Sequence, residues 1–390
     1  MNKTLNFGVI GAGYMGKAYA IALNTVASVY SLSARPVLEL IATSSADGAA
    51  RKAEAFGFNR ATGSWQSLVA DPAVDVIGIC SPTFVHKEMA LAAIAAGKHV
   101  LCEKPLALSA AEAHEMALAA ERAGVKTLVG YNYIKNPATR LAKQMIEPGE
   151  IGDIVHFRAT HNEDYLMDPS AGGGWRLKEE FASRAGALGD LASHIINLAH
   201  YLCGPIAEVV GESQIVHAQR PGDNGQLETV ENDDQTNFLV KFKSGVLGSF
   251  EASRVAAGRK MGLTYEIIGT KGSLYFDQER LAELQFYSGA DAAGRRGYRT
   301  LLIGPDHPDY GNFCIGAGHG FGYNDMIVVE MKDLVEGIAA NQPLWPSFRD
   351  AVHTALVVDS VLLSQKERRW VAIAELESKL ETKLNKESGK

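Results

Sequence analysis

Only four of the 390 residues are cysteine, at positions 80, 102, 203 and 314, and none stands at the spacing of a metal site or a disulfide framework. They read as reduced thiols of a cytoplasmic protein, two of them closing apolar runs. No metal is expected, because Cys102 and Glu103 lack partners at ligand spacing. Long apolar runs are lacking too. None approaches the roughly 18–20 residues that cross a bilayer, so no membrane association is expected. The N-terminal segment passes straight into a strand-like run, Leu5–Ile10, without the pattern of a signal peptide. Dense basic tracts are missing as well. With 38 Lys plus Arg against 45 Asp plus Glu, the formal charge of −7 gives no electrostatic reason to bind nucleic acid.

What is present is an ordinary globular composition, 46% apolar and 21% charged, in a length that suits two domains. The first 130 residues alternate short apolar runs with helical patterns, as βαβ units of a parallel sheet do. Strands are predicted at Leu5–Ile10, Val37–Ala42, Asp75–Cys80, Lys98–Cys102 and Lys126–Gly130. Helices are predicted over 84–96 and 109–123, the second opened by a capping box of Ser109 and Glu112. Beyond, strand-like runs at 154–160, 207–216, 236–242, 245–253 and 263–268 follow one another with one strong helix, Ala185–Leu202, between them. That order implies an antiparallel or mixed sheet. The expected architecture is α/β: an N-terminal doubly wound parallel sheet over 1–130, then an α+β domain with a large open, mostly antiparallel sheet over 131–390. Helices within 324–366 are expected to pack back on one domain, and 375–390 to fray or form an exposed helix.

Gly11-Ala12-Gly13-Tyr14-Met15-Gly16 lies between the first predicted strand and the first predicted helix. There Gly11 allows a tight turn, Gly13 admits a pyrophosphate, and Gly16 lets the helix lie close to the strand. The phosphates, with Tyr14 and Met15 beside them, would face the helix N-terminus. A ligand-free glycine turn is the alternative. The second strand ends in Thr43-Ser44-Ser45, with no acid before Asp47. An acid there accepts from the NAD ribose and repels the NADP phosphate, whereas hydroxyls can donate to that phosphate, helped by Arg51 or Lys52. The same hydroxyls serve equally as helix caps, so dual use of NAD and NADP is expected.

Two further features carry chemistry. Lys104 follows the fourth strand in Cys102-Glu103-Lys104-Pro105, at the carboxyl edge where ligands bind, and proline holds it extended. In the 185–202 helix, Leu188, Leu191, Ile195, Leu198 and Leu202 make one stripe. Asp190, His194, Asn197 and Tyr201 make a second, polar one, with Asp190 and His194 one turn apart. A histidine so placed can accept a proton near neutral pH.

In joint order these motifs resemble the Gfo/Idh/MocA family of NAD(P)-dependent oxidoreductases over nearly the whole chain. The match takes in the glycine loop, Ser81-Pro82-Thr83-Phe84-Val85-His86, Glu103-Lys104-Pro105 and Asp190-x-x-x-His194. Within the family, Tyr131-Asn132-Tyr133, Trp175-Arg176 and Phe321-Gly322-Tyr323 look most like the levoglucosan and inositol dehydrogenases. The resemblance implies that Lys104, Asp190 and His194 form the catalytic group. It implies that Pro82, His86, Glu103 and Asn132 line the nicotinamide side, with Ser81 also among the cofactor-binding residues, and that the open sheet makes a homodimer or homotetramer. Asn197 departs from the Asp common in relatives, which bears on substrate identity more than on chemistry. The expected activity is oxidation of a secondary hydroxyl of a sugar, anhydrosugar or cyclitol. Tyr133, Asn162, Glu163, Asp164, Tyr165, Trp175 and Arg176 are candidate substrate contacts, or else an interdomain salt network. Rival readings are reduction of a non-sugar substrate and an inactive nucleotide-binding sensor or scaffold.

Overall fold

The computed structural model describes residues 3–222 and 225–387, in two compact units. The first comprises Met1–Lys135 and Phe321–Val352, the second Asn136–Gly320 and His353–Lys390.

The first unit is built on six parallel strands: β1 Lys3–Ile10, β2 Ala34–Ala42, β3 Arg60–Thr62, β4 Val76–Ile79, β5 His99–Cys102 and β6 Thr127–Val129. They lie in the order β3-β2-β1-β4-β5-β6, the doubly wound arrangement whose direction of winding reverses between β1 and β4. Every residue of β4 and β6 is buried, as strands covered by helices on both faces require. β3 is the one strand of this sheet that the sequence does not announce, because Arg-Ala-Thr at an edge carries no apolar signal. Ser109 caps the helix Ala110–Ala123 by accepting from the Glu112 N–H, while the Glu112 carboxylate accepts from the N–H of Leu108. Late in the chain the helix Tyr323–Ala339 packs along Tyr14–Val29, and Pro346 accepts a hydrogen bond from the N–H of Val129 in β6.

The second unit carries nine strands in one sheet. These are β7 Ile154–Asn162, β8 Ile206–Gln214, β11 Gln235–Phe242, β12 Leu247–Ser253, β13 Gly262–Gly269, β14 Gly272–Asp277, β15 Glu283–Ser288, β16 Arg299–Leu302 and β17 Val371–Ala372. Between β8 and β11 runs a separate two-stranded ribbon, β9 Gln219–Pro221 and β10 Leu227–Thr229. The sheet order is β16-β15-β14-β13-β7-β12-β11-β8-β17, antiparallel except for the pair β7 and β12. Alternation is clear in β11, where Thr236, Phe238, Val240 and Phe242 face the core and Asn237, Leu239 and Lys241 face out. On the core face Phe157 meets Phe242 and Phe250, and Phe238 stacks on Phe250. The helix Ser193–Cys203 lies against β7.

Several sequence expectations need correction here. The predicted helix Ala185–Leu202 is two pieces, a π-helical turn Leu188–Ala192 that runs into the α-helix Ser193–Cys203. The strands β14, β15 and β16 follow the Gly269–Gly272 turn as a meander that was not predicted, since their polar residues on the open face break up the apolar runs. A helix at Pro137–Ile146, capped by Asn136, adds to the expected elements. The charged tail is helical over Ile373–Glu387, and 388–390 lie outside the described residues. Among the described residues no helix is long and apolar enough to cross a membrane.

Candidate active site

In the first unit the carboxyl ends of β1, β4, β5 and β6 converge on one edge. Gly11 there adopts φ +97°, and its N–H donates to Ala42 across the sheet. Gly16 sits so near this turn that a Cβ on it would lie 2.1 Å from the Gly11 carbonyl oxygen, so the helix can approach only as glycine. Gly13, by contrast, faces open space with nothing within 4 Å of where a Cβ would be. It is the N-cap of Tyr14–Val29, with no side-chain cap and no acid in the first turn. Open space before uncapped N–H groups and a positive helix end suits a pyrophosphate, so these residues fit NAD.

Thr43 stands at the end of β2, but its hydroxyl donates to the Ser45 carbonyl, and Ser45 Oγ accepts from the Gly48 N–H as the N-cap of Ala46–Phe56. Both hydroxyls are therefore engaged within the turn, only that of Ser45 as a helix cap, while Ser44 is exposed. Lys52 lies over the Phe56 ring.

His86 is fully buried and ties two turns together. Its Nε2 lies 2.8 Å from the Ser81 carbonyl oxygen, and its Nδ1 lies 3.2 Å from that of Pro105. Burial depresses the basicity of the ring, and a neutral ring donates to only one of these acceptors. The shorter contact marks Ser81 as that acceptor. His86 thus braces the turns that present Pro82 and Lys104. The Lys104-Pro105 peptide is cis, and Lys104 itself is half-buried. Glu103 accepts from the Tyr19 hydroxyl at 2.6 Å and from the backbone N–H of Lys104 at 3.3 Å. Nearby, Asn132 is buried with its side-chain amide close to the Tyr323 hydroxyl. Tyr323 gathers the loop residues: its ring lies 5.8 Å from Tyr14 and 6.2 Å from Tyr133, and its hydroxyl reaches Met15 Sδ.

Beneath this edge lies a group that the sequence did not flag. Glu330 on Tyr323–Ala339 is fully buried, and neither carboxylate oxygen has a hydrogen-bond partner among the described residues. Burial pushes its pKa up to about 8; Lys135 pulls the other way, and Glu103 and Asp333 add to the rise.

The second unit holds the other cluster. The π-helical turn is fixed at its start by Asp233, whose carboxylate accepts from the N–H groups of Gly186 at 2.7 Å and Leu188 at 2.9 Å. A Cβ on Gly186 would lie 2.1 Å from the Asp233 carbonyl oxygen, so the close approach needs glycine. Asn232 holds the loop at Arg176 and Ser183 through their carbonyls, and buried Arg254 pairs with Asp234 at 2.9 Å. Three consecutive buried polar residues, Asn232, Asp233 and Asp234, thereby set the helix that bears the candidate catalytic pair. A π-turn within a helix is itself frequent at functional sites.

Asp190, half-buried on that turn, accepts from the Tyr165 hydroxyl at 3.2 Å. The His194 ring lies 5.4 Å from that of His161. His161 is held in turn by the Leu191 carbonyl at Nδ1, 2.9 Å, and by Glu163 at Nε2, 3.2 Å. His161 was missed in the sequence, although a histidine following Phe157 and Ala159 on the inward face of β7 is the available signal. Three other candidates have partners of their own. Asn162 donates to Glu251, Asp164 pairs with exposed Lys260, and Arg176 stacks on Trp175 at 4.7 Å. Asn197 is buried, and its Oδ1 has no partner among the described residues.

Comparison with known proteins gives these clusters a context. Residues 5–131 match the oxidoreductase family with an NAD-binding Rossmann fold, and residues 139–275 match the GFO/IDH/MocA C-terminal domain. Levoglucosan dehydrogenase of Pseudarthrobacter phenanthrenivorans is 37% identical over 96% of this chain and 99% of its own. A solved levoglucosan dehydrogenase in complex with NADH and levoglucosan superposes with a TM-score of 0.93 at 38% identity, covering 95% of this chain and 99% of that one. An NAD binding oxidoreductase from Klebsiella pneumoniae gives 0.92 at 45% identity, with the same coverage.

Proposed function

This chain belongs to the Gfo/Idh/MocA family of NAD-binding oxidoreductases, and from that membership we propose that it oxidises a secondary hydroxyl of an anhydrosugar, sugar or cyclitol to a ketone. The observation that carries the proposal is the pairing of Asp190 and His194 one turn apart, with Tyr165 hydrogen-bonded to Asp190 and the His161 ring beside His194. A carboxylate and an imidazole so held can bind one polyol oxygen and take its proton. Likeness to levoglucosan dehydrogenase supports a cyclic polyol as substrate.

In this reading His194 accepts the hydroxyl proton. Lys104 donates a hydrogen bond to the same oxygen and steadies the negative charge that develops on it. Asp190 orients the substrate, with Tyr165 limiting its rotation. NAD, when bound, supplies the hydride acceptor. Ser81, Pro82, Glu103 and Asn132 would line the nicotinamide. Use of NADP beside NAD is part of the proposal, because no acid at the end of β2 repels a 2′-phosphate. Residues 131–390 would bind the substrate and assemble a homodimer or homotetramer. The open sheet face that displays Leu239 and Leu247, each about half exposed beside Arg158 and Glu251, supports that assembly. Four free cysteines suit a cytoplasmic location.

The test is turnover by purified protein on a panel of anhydrosugars, cyclitols and free sugars with NAD+ and NADP+, followed by nicotinamide absorbance. Reduction with at least one cyclic polyol is expected. No turnover across the panel overturns the proposal.

A further inference from the structure

Arg220 on β9 is completely buried, yet among the described residues no side-chain carboxylate is hydrogen-bonded to it. Its guanidinium instead donates to three backbone carbonyls of one loop. Nη1 reaches Asp168 at 2.7 Å and Ala171 at 3.2 Å, and Nη2 reaches Leu166. Burial lowers the pKa of the guanidinium and the nearby Arg254 charge adds to that, while the charges of Asp234 and Asp168 offset only part of it. A loop otherwise surrenders its carbonyls to water, so a buried fork that collects three of them fixes its backbone path.

The loop so fixed runs from the end of β7 through Glu163, Asp164 and Tyr165. Its apolar residues Leu166 and Leu177 make a small core of their own with Val230, flanked by Ala171 and Val255. Leu166 also donates its N–H to the Arg254 carbonyl. Loop and ribbon therefore form one body with Arg220 at its centre. The residue immediately before Leu166 is Tyr165, whose hydroxyl reaches Asp190.

We propose that Arg220 is a positioning residue for substrate recognition, holding the 163–171 loop in the shape that carries Tyr165 to Asp190. This rests on the assignment of Asp190 to the substrate site. Lysine cannot replace it, because a single ammonium does not span carbonyls spread from Leu166 to Ala171.

The experiment compares wild-type protein with Arg220→Lys, Tyr165→Phe and the double variant, using the best substrate of the polyol panel. Misplacing a substrate-positioning group should raise KM about tenfold in Arg220→Lys, with kcat and the NAD dissociation constant nearly unchanged. Tyr165→Phe should raise KM similarly, and the double variant should show less than the product of the two effects, since both act through one contact. Hydrogen exchange supplies a readout independent of turnover: peptides spanning 164–174 should exchange faster in Arg220→Lys while those of the nucleotide-binding unit do not. An unchanged KM, fully multiplicative effects, or unchanged exchange over 164–174 overturns the role of Arg220. If wild-type protein turns over no polyol, the functional assignment fails, and the exchange measurement still judges whether Arg220 holds the loop.

Discussion

Tyr19 donates a 2.6 Å hydrogen bond to Glu103, the residue immediately before the proposed catalytic lysine. Both are buried, so neither partner has water to fall back on. Burial and the neighbouring Glu103 charge raise the tyrosine pKa well above its ordinary value, so it remains a donor at any working pH. Removing the hydroxyl by Tyr19→Phe leaves a buried carboxylate oxygen short of a donor. The expected loss of stability is about 1–3 kcal/mol by urea unfolding. A loss below that range would show that Glu103 finds another donor.

Lys104→Ala tests the oxyanion role. If the ammonium donates to the reacting oxygen, kcat should fall roughly 10²–10³-fold while NAD affinity, read by fluorescence titration, stays put. Near wild-type turnover would remove Lys104 from the chemistry.

His194 governs the pH profile if it takes the proton. Protonating the ring in advance leaves it nothing to accept, so kcat/KM for oxidation should decline on the acid side. His194→Asn should remove that limb together with most activity. A variant that stays active with the same acid limb would move the base elsewhere.

For Glu330 the sign is set by burial. Its folded pKa, about 8, lies above the ordinary 4.5, so between these values the native state keeps a proton that the unfolded chain releases. Stability from this group is therefore complete below about pH 4.5 and drains away as pH rises toward 8, by up to about 1.4 kcal/mol per pH unit. Glu330→Gln should flatten that decline and stabilise the protein at pH 8. Unchanged pH dependence of unfolding would mean that Lys135 keeps the carboxylate ionised.

Cofactor choice can be tilted at Thr43. An Asp there could still receive the Ser45 N–H that Thr43 now accepts at 3.5 Å, and would also accept from the NAD ribose and repel the NADP phosphate. Thr43→Asp should lose NADP use selectively, seen as a falling ratio of kcat/KM for the two cofactors. A wild type already strict for NAD, or a variant that loses both equally, would show that Thr43 does not face the ribose.

The nucleotide-binding unit was legible because its signals are local. A glycine loop between strand and helix, a capping serine and runs such as Val76–Ile79 each declare themselves within a few residues. The Asp190 and His194 stripe could be read as well, since a spacing of four residues puts both on one side of a helix. What holds that helix was not. Asp233 lies more than forty residues downstream of the N–H groups it receives, and Asn232, Asp233 and Asp234 read as an ordinary polar turn until the fold buries them. Arg220 and Glu330 stayed hidden for the same reason, because nothing in a charged residue announces that the chain will enclose it. The π-turn too is invisible to a period of 3.6, which sees one continuous helix there.

The hydrogen bond from Val129 to Pro346, and that from Phe348 to Thr127, set an order of assembly. When Lys135 leaves the ribosome, all six strands of the parallel sheet have been synthesised, but the outer edge of β6 is bare and the helix Tyr14–Val29 lacks its cover. Both wait for residues 321–352, which emerge only after the whole nine-stranded sheet apart from β17. A nascent chain in that interval carries an open strand edge and an apolar helix face, the features that recruit chaperones or seed association. A fragment ending at 135 would carry them permanently. The dinucleotide site is thus made before the nine-stranded sheet and closed only after nearly all of it.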